Sequence, residues 1–191
     1  MKKIKSFSGF WLACCLLFLL TGCAVKQDYT NPQMDFSAVR TVAVLPFQNL
    51  SSDDQAGERV RDAFMGALLA TEGIYVLPPG EVARGISRVG IRTPQTPTVE
   101  EITKLKGVLE INAVITGVLR EYGAVRSGSA EANLVSLSLT MIETQTGTIV
   151  WSAASTKGGI SMSDRLLGSG GQPMNDVTLQ VVNDLLNQLF E

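Results

Sequence analysis

Few side chains in this sequence could carry covalent or metal chemistry. The only thiols are Cys14, Cys15 and Cys23, and histidine is absent. Without an imidazole, neither a Ser-His-Asp triad nor a His-ligated zinc site can be assembled. Asp53 and Asp54 could pair as general acid and base. Adjacent carboxylates in a polar loop ahead of a helix more often cap it and face its dipole, and a solvated loop gives no reason to tune either for proton transfer. Gly168, Ser169, Gly170 and Gly171 precede the last helix and could turn backbone amides toward a phosphate. They lack the lysine and hydroxyl pair of a phosphate-binding loop and follow no clear strand, so they read as a hinge or a partner-binding loop. Trp151, next to Val150, reads as core or interface rather than as a platform for a ligand. No metal and no dissociable cofactor is expected, and the chain reads as a non-enzyme.

Cys23 is set apart by what precedes it. Lys2, Lys3 and Lys5 put positive charge at the start, which stays on the cytoplasmic side while the next segment inserts. Phe10 to Leu20 is almost purely apolar but only eleven residues long, about half the ~20 that a spanning helix needs. It reads as the core of a signal peptide. Leu20, Thr21, Gly22 and Cys23 resemble the lipobox of bacterial lipoprotein precursors: an aliphatic residue, two small ones, then the cysteine. The resemblance implies diacylglycerol on the Cys23 sulfur, cleavage between Gly22 and Cys23, and acylation of the new amino terminus. Each buried methylene adds about 0.8 kcal/mol, and several acyl chains anchor stably where one does not. Cys14 and Cys15 leave with the signal, so an acylated Cys23 leaves no thiol for a disulfide or a nucleophile.

Removing residues 1–22 takes three lysines and no acid from 16 basic and 18 acidic residues, leaving 169 residues with a net charge of −5. That balance argues against nucleic acid or an anionic lipid surface as the main partner. A chain of this length buries a core without disulfides, and one domain is the natural count. The boundaries follow as a signal peptide over 1–22, a lipidated tether over 23–37 and an α/β domain over 38–191. Residues 24–37 lack a sustained apolar period, and fully extended they span at most roughly 50 Å. Lipoprotein sorting implies that an aspartate after the cysteine favours inner-membrane retention. Ala24 stands there instead, so the expected location is the outer membrane, facing the periplasm.

The domain opens with the β-branched run Thr41 to Phe47, a strand buried on both faces that Pro46 stops from donating further. Gln48 to Asp54 read as a polar loop, with Ser52 and Gln55 as a capping box. Val60, Ala63, Phe64, Ala67 and Leu68 fall on one helical face, with Glu58, Arg59, Arg61 and Asp62 largely off it. A strand over Ile74 to Leu77 and a short helix marked by Val82, Ala83, Ile86 and Val89 come next. Thr98 to Glu101 is a second capping box, opening a helix with Ile102, Leu105, Val108 and Leu109, and Asn112 is placed to end it in the left-handed region. Ala113 to Tyr122, Asn133 to Glu143 and Ile149 to Ser152 predict a three-strand meander. In its middle strand Val135, Leu137, Leu139 and Met141 share one face and Ser136, Ser138 and Thr140 the other. After Pro173, the stripe from Val177 to Phe190 predicts a last helix against the sheet.

Three segments carry a further resemblance: VAVLPFQNLS at 42–51, INAVITGVLREYG at 111–123 and SLSLTMIETQTGTIVWS at 136–152. They resemble small periplasmic lipoproteins with the fold of the amino-terminal domain of TolB, a group that includes the curli-secretion channel CsgG. Thr146, Gly147, Trp151 and Ser152 match the family habit of strand, polar turn and strand. The resemblance covers about positions 38–190 and implies a mixed sheet with flanking helices. Its motifs are structural, so they speak to fold and compartment more than to task. Between Tyr122 and Asn133 only the polar stretch GAVRSGSAEA is available, against the 9 to 11 residues with an apolar lipid face that each membrane strand needs. The likeness is therefore to compact lipoproteins that accompany channel homologues. The expected role is an accessory or scaffold in envelope assembly or secretion, with envelope proteins, a CsgG-like channel or a second copy as partners. The alternative is an LpoB-type regulator of peptidoglycan synthases. Proteins of that type are implied to use long Pro-rich tethers, and the tether here is short.

Overall fold

The computed structural model describes residues 28–190 apart from 35, 129 and 161–170. Along them lie β1 (Asp28–Thr30), β2 (Thr41–Val44), β3 (Gln48–Asn49), α1 (Ala56–Leu69), β4 (Tyr75–Val76), α2 (Pro79–Val89) and α3 (Val99–Leu109). The long meander β5 (Ala113–Ser127), β6 (Ala130–Glu143) and β7 (Ile149–Gly158) follows, then α4 (Met174–Phe190). The strands form one mixed sheet in the order β1-β7-β6-β5-β2-β4, and β3 pairs with β5. β2 runs parallel to β4 and β5, whereas the meander and β1 pair antiparallel. This is the single α/β domain, with mixed sheet, meander and flanking helices, that the sequence predicts.

Side-chain alternation divides the sheet into two differently covered faces. Val135, Leu137, Leu139 and Met141 point to one face and are fully buried under Phe64 and Leu68 of α1 and Val181, Val182 and Leu185 of α4. Each such burial contributes about 1.5–3 kcal/mol relative to exposure. On the other face α2 and α3 cover only the β2 side, where Val82, Ile102 and Leu105 pack on Ala43, Leu45 and Val114. Ser136, Ser138 and Thr140 lie beyond these helices and stay half-buried.

Several local readings change once partners are present. Residues 28–30, which read as tether, form β1 against β7, and Met34 and Phe36 pack on the core. Gln48 and Asn49, read as loop, form β3, so the apolar run is one strand path broken at Pro46. The Ser52–Gln55 box does not form and no side chain caps α1 at Gln55; in the turn before it the Asp53 carboxylate accepts from the Gln55 amide at 3.0 Å and pairs with Arg59. The Thr98–Glu101 capping box forms as expected. Its helix ends at Glu110 in the left-handed region, φ 54°, with the Glu110 amide donating to Lys106, and not at Asn112. Asn112 Oδ1 accepts from the backbone N–H of Arg40 and Thr41 at 3.0 and 2.9 Å and ties β2 to β5. Arg61, expected off the apolar face, is 9% exposed and pairs with Glu58 at 3.1 Å, its stem covering the core. The stretch GAVRSGSAEA extends the β5–β6 ladder instead of forming a loop.

Candidate functional site

The residues singled out in the sequence are not brought into one site. Leu20, Thr21, Gly22, Cys23, Gly168, Ser169 and Gly170 lie outside the described residues. Gly171 is half-buried on the start of β6, so close that a Cβ there would stand 2.7 Å from Ala132, and the neighbouring Gln172 carbonyl accepts from Asn133 at 2.8 Å. Asp53 is held by the Gln55 amide and Arg59 in the turn before α1. Trp151 is buried in the core, and its Nε1 has no acceptor among the described residues.

The open elements lie on the meander. Beyond Leu119 no described strand pairs with β5 on the side away from β6, so among the described residues the edge from Glu121 to Ser127 is unpaired. β7 pairs as far as Leu134 of β6, and the Gly159 amide donates to the Asn133 carbonyl at 2.8 Å; beyond that Val125–Ser127 and Ala130–Ala132 run on as a two-stranded arm, with Gly171 against Ala132 on its β6 side. Arg126 and Glu131 face each other across it at 2.8 Å. A cleft of about 260 Å³ separates this edge from Leu50, Ser51 and Ser52, with Arg120 and Tyr122 on its wall. The Arg59 guanidinium sits 5.8 Å from the centre of the Tyr122 ring. An unpaired edge of this length presents a row of backbone donors and acceptors to which another chain can add a strand.

The face left uncovered beside α2 and α3 is lined by hydroxyls. Ser136 and Thr156 share a hydrogen bond at 2.8 Å, and Thr140 and Ser152 another at 3.2 Å. Arg120 Nε donates to Ser138 at 3.3 Å. Such a surface can take a polar protein face without large desolvation. A second cleft, about 450 Å³, opens where the β2–β3 path ends, beside the start of α1. Gln48, Asp54, Glu58, Thr93 and Gln95 line it, and its two carboxylates offset the anion preference of a helix start.

A polar cluster that the sequence reading missed fixes α4 to β7. The Ser155 hydroxyl donates to Asp184 at 2.6 Å, Lys157 pairs with the other carboxylate oxygen at 2.9 Å, and Gln188 donates at 3.2 Å. Burial works to raise the Asp184 carboxyl, but the bonds from Ser155 and Lys157, the Lys157 charge and the Gln188 amide together hold it below its ordinary value. Ser155 and Lys157, two apart on a strand, share a face, and that spacing was the one available signal. Among the described residues no group of three or more acids, cysteines or histidines could hold a metal ion.

Fold and surfaces define a single α/β domain whose open elements are strand edges and a hydroxyl-lined face. The chain belongs to the Putative lipoprotein GNA1162-like family, whose model matches residues 27–190. Its fold is similar to that of lipoprotein GNA1162 from Neisseria meningitidis, at 22% identity and a TM-score of 0.52 over 78% of this chain and 97% of that one. It is also similar to a PelC dodecamer subunit from Paraburkholderia phytofirmans, at 18% identity and a TM-score of 0.53, covering 84% and 94%. The LpoB C-terminal domain from Escherichia coli shares the fold at 15% identity and a TM-score of 0.50, covering 65% and 87%. No curated protein sequence matches the chain.

Proposed function

We propose that the protein is a non-enzymatic lipoprotein, acylated on Cys23 and held at the periplasmic side of the outer membrane, that serves as an accessory or scaffold in envelope assembly or secretion. The observation that carries the reading is the β5–β6 arm with its edge from Glu121 to Ser127, unpaired among the described residues. Membership of a lipoprotein family supports the anchoring, and Ala24 supports the outer membrane as its address. The dodecameric state of PelC, which shares the fold, supports a second copy of this chain as one occupant of the open elements. A CsgG-like channel, anticipated from the TolB-type resemblance, is another. A photoreactive residue at the exposed Ala124 of the intact protein, compared with one at Asp62 on α1, tests the reading in cells. Crosslinks to envelope proteins or to itself should form from position 124 and not from 62. A partner-free monomer at both positions would refute the scaffold role.

The shared fold with the LpoB C-terminal domain favours one other reading, a regulator of peptidoglycan synthases. The four residues between Cys23 and Asp28 weigh against it, since the five steps from Cys23 to Asp28 reach at most ~18 Å from the anchor. Stimulation of glycan polymerisation by the purified lipoprotein would reverse the ranking.

A further inference from the structure

We propose that the β1 edge of the sheet is the part of the domain that lies on the bilayer, with Tyr29 and Ile149 seated among the lipid headgroups. The inference rests on the acylation of Cys23 and adds an orientation to it. β1 is fixed to β7 in a defined register, Asp28 opposite Ala153, Tyr29 opposite Ser152 and Thr30 opposite Trp151. The Asn31 amide extends the pairing by donating to the Val150 carbonyl at 2.9 Å. The anchor is thereby tied to an outer edge of the sheet, not to a free arm. From Cys23 to Asp28 the chain can span at most ~18 Å. Neighbouring strands stand about 4.8 Å apart, so β4, five places across the sheet, is ~24 Å from β1. The leash is shorter than that distance, and β4 cannot be the edge that touches the membrane.

The side chains at the tethered edge suit a lipid surface. Tyr29 is 50% exposed and stands opposite Ser152, on the face that α2 and α3 leave open. Ile149 is 47% exposed and stands opposite Ile142, which packs toward the same face. Tyrosine is enriched at the headgroup level because its ring is apolar and its hydroxyl hydrated, and Ile149, three residues before Ser152 on β7, adds apolar area. With a net charge of −5 after signal removal, contact through these groups does not depend on anionic lipid.

The test uses the full lipidated protein in phosphatidylethanolamine vesicles containing a minority of phosphatidylglycerol. Acylation of Cys23 leaves no native thiol free, so nitroxides can be placed singly on Tyr29→Cys, Ile149→Cys and, as the distant control on α1, Asp62→Cys. An unchanged urea midpoint in each labelled protein establishes that the fold is retained. Collision with a water-soluble nickel chelate should be several-fold lower at positions 29 and 149 than at 62, with oxygen collision raised. Equal nickel collision at all three positions, with Cys23 acylated by mass, overturns the orientation and leaves the anchoring intact. An unacylated Cys23 overturns the anchoring reading and the orientation together.

Discussion

Replacing Asp184 by Asn should cost the domain about 1.5 kcal/mol at neutral pH and flatten its stability in acid. Hydrogen bonds to a charged group contribute about 1.5–3 kcal/mol each when buried. Asp184 and Lys157 are each about a third exposed, however, so solvent discounts their ion pair to the low end of surface values. The Ser155 hydroxyl is the buried partner, at 5% residue exposure, and carries most of the effect. For a domain of this size the loss corresponds to a fall in Tm of about 3–6 °C. The sign of the pH effect follows from the lowered Asp184 pKa. The folded state binds that proton more weakly than the unfolded chain, whose carboxyl titrates near its ordinary value of ~3.9. The contribution is complete above that value and is lost as pH falls through it toward the lower folded one. Urea midpoints measured from neutrality down to the acid limb would show Asp184→Asn converging on the wild type as pH drops. Parallel curves, or a neutral-pH difference below a few tenths of a kcal/mol, would show that Ser155 and Lys157 merely lie near Asp184.

Thr98→Ala removes one half of the capping box on α3 and should cost about 0.5–2 kcal/mol in urea unfolding, with m unchanged. Gly117→Ala would place a methyl 2.6 Å from the buried Phe47 ring, and an overpacking loss of about 1–3 kcal/mol should appear as a lower Tm. Cys23→Ser should abolish incorporation of labelled palmitate, and incorporation that persists in the variant would refute acylation at Cys23.

What the sequence made legible was whatever a single element decides for itself. The period of two in Val135, Leu137, Leu139 and Met141 and the box at Thr98 and Glu101 needed no partner to be read, and both stand in the structure. What stayed hidden depends on neighbours distant in the chain. Asp28, Tyr29 and Thr30 have no apolar pattern, because an edge strand is held by backbone pairing with β7. Gln48 and Asn49 are a strand only because Val118 and Leu119 lie beside them. Asn112 looked like a helix terminator, yet its amide serves β2, seventy-odd residues upstream, and Glu110 takes the left-handed turn instead. The candidate surfaces were less legible still. That the edge of β5 is unpaired among the described residues depends on where the other strands lie, and the bonding of Asp184 to Ser155 joins residues 29 apart.

The three-residue strand β1 also gives the molecule a reserve of length. With the anchor proposed at Cys23, a pull between it and the sheet would reach β1 first, a three-residue stretch of pairing with β7. Peeling it from β7 would free the chain as far as Gln33, before Met34 and Phe36 engage the core, and would let the leash grow from ~18 Å to about 35 Å. The core clusters would stay whole while this happened. A domain so anchored would sit close to its membrane when slack and gain this extra span if β1 were peeled away.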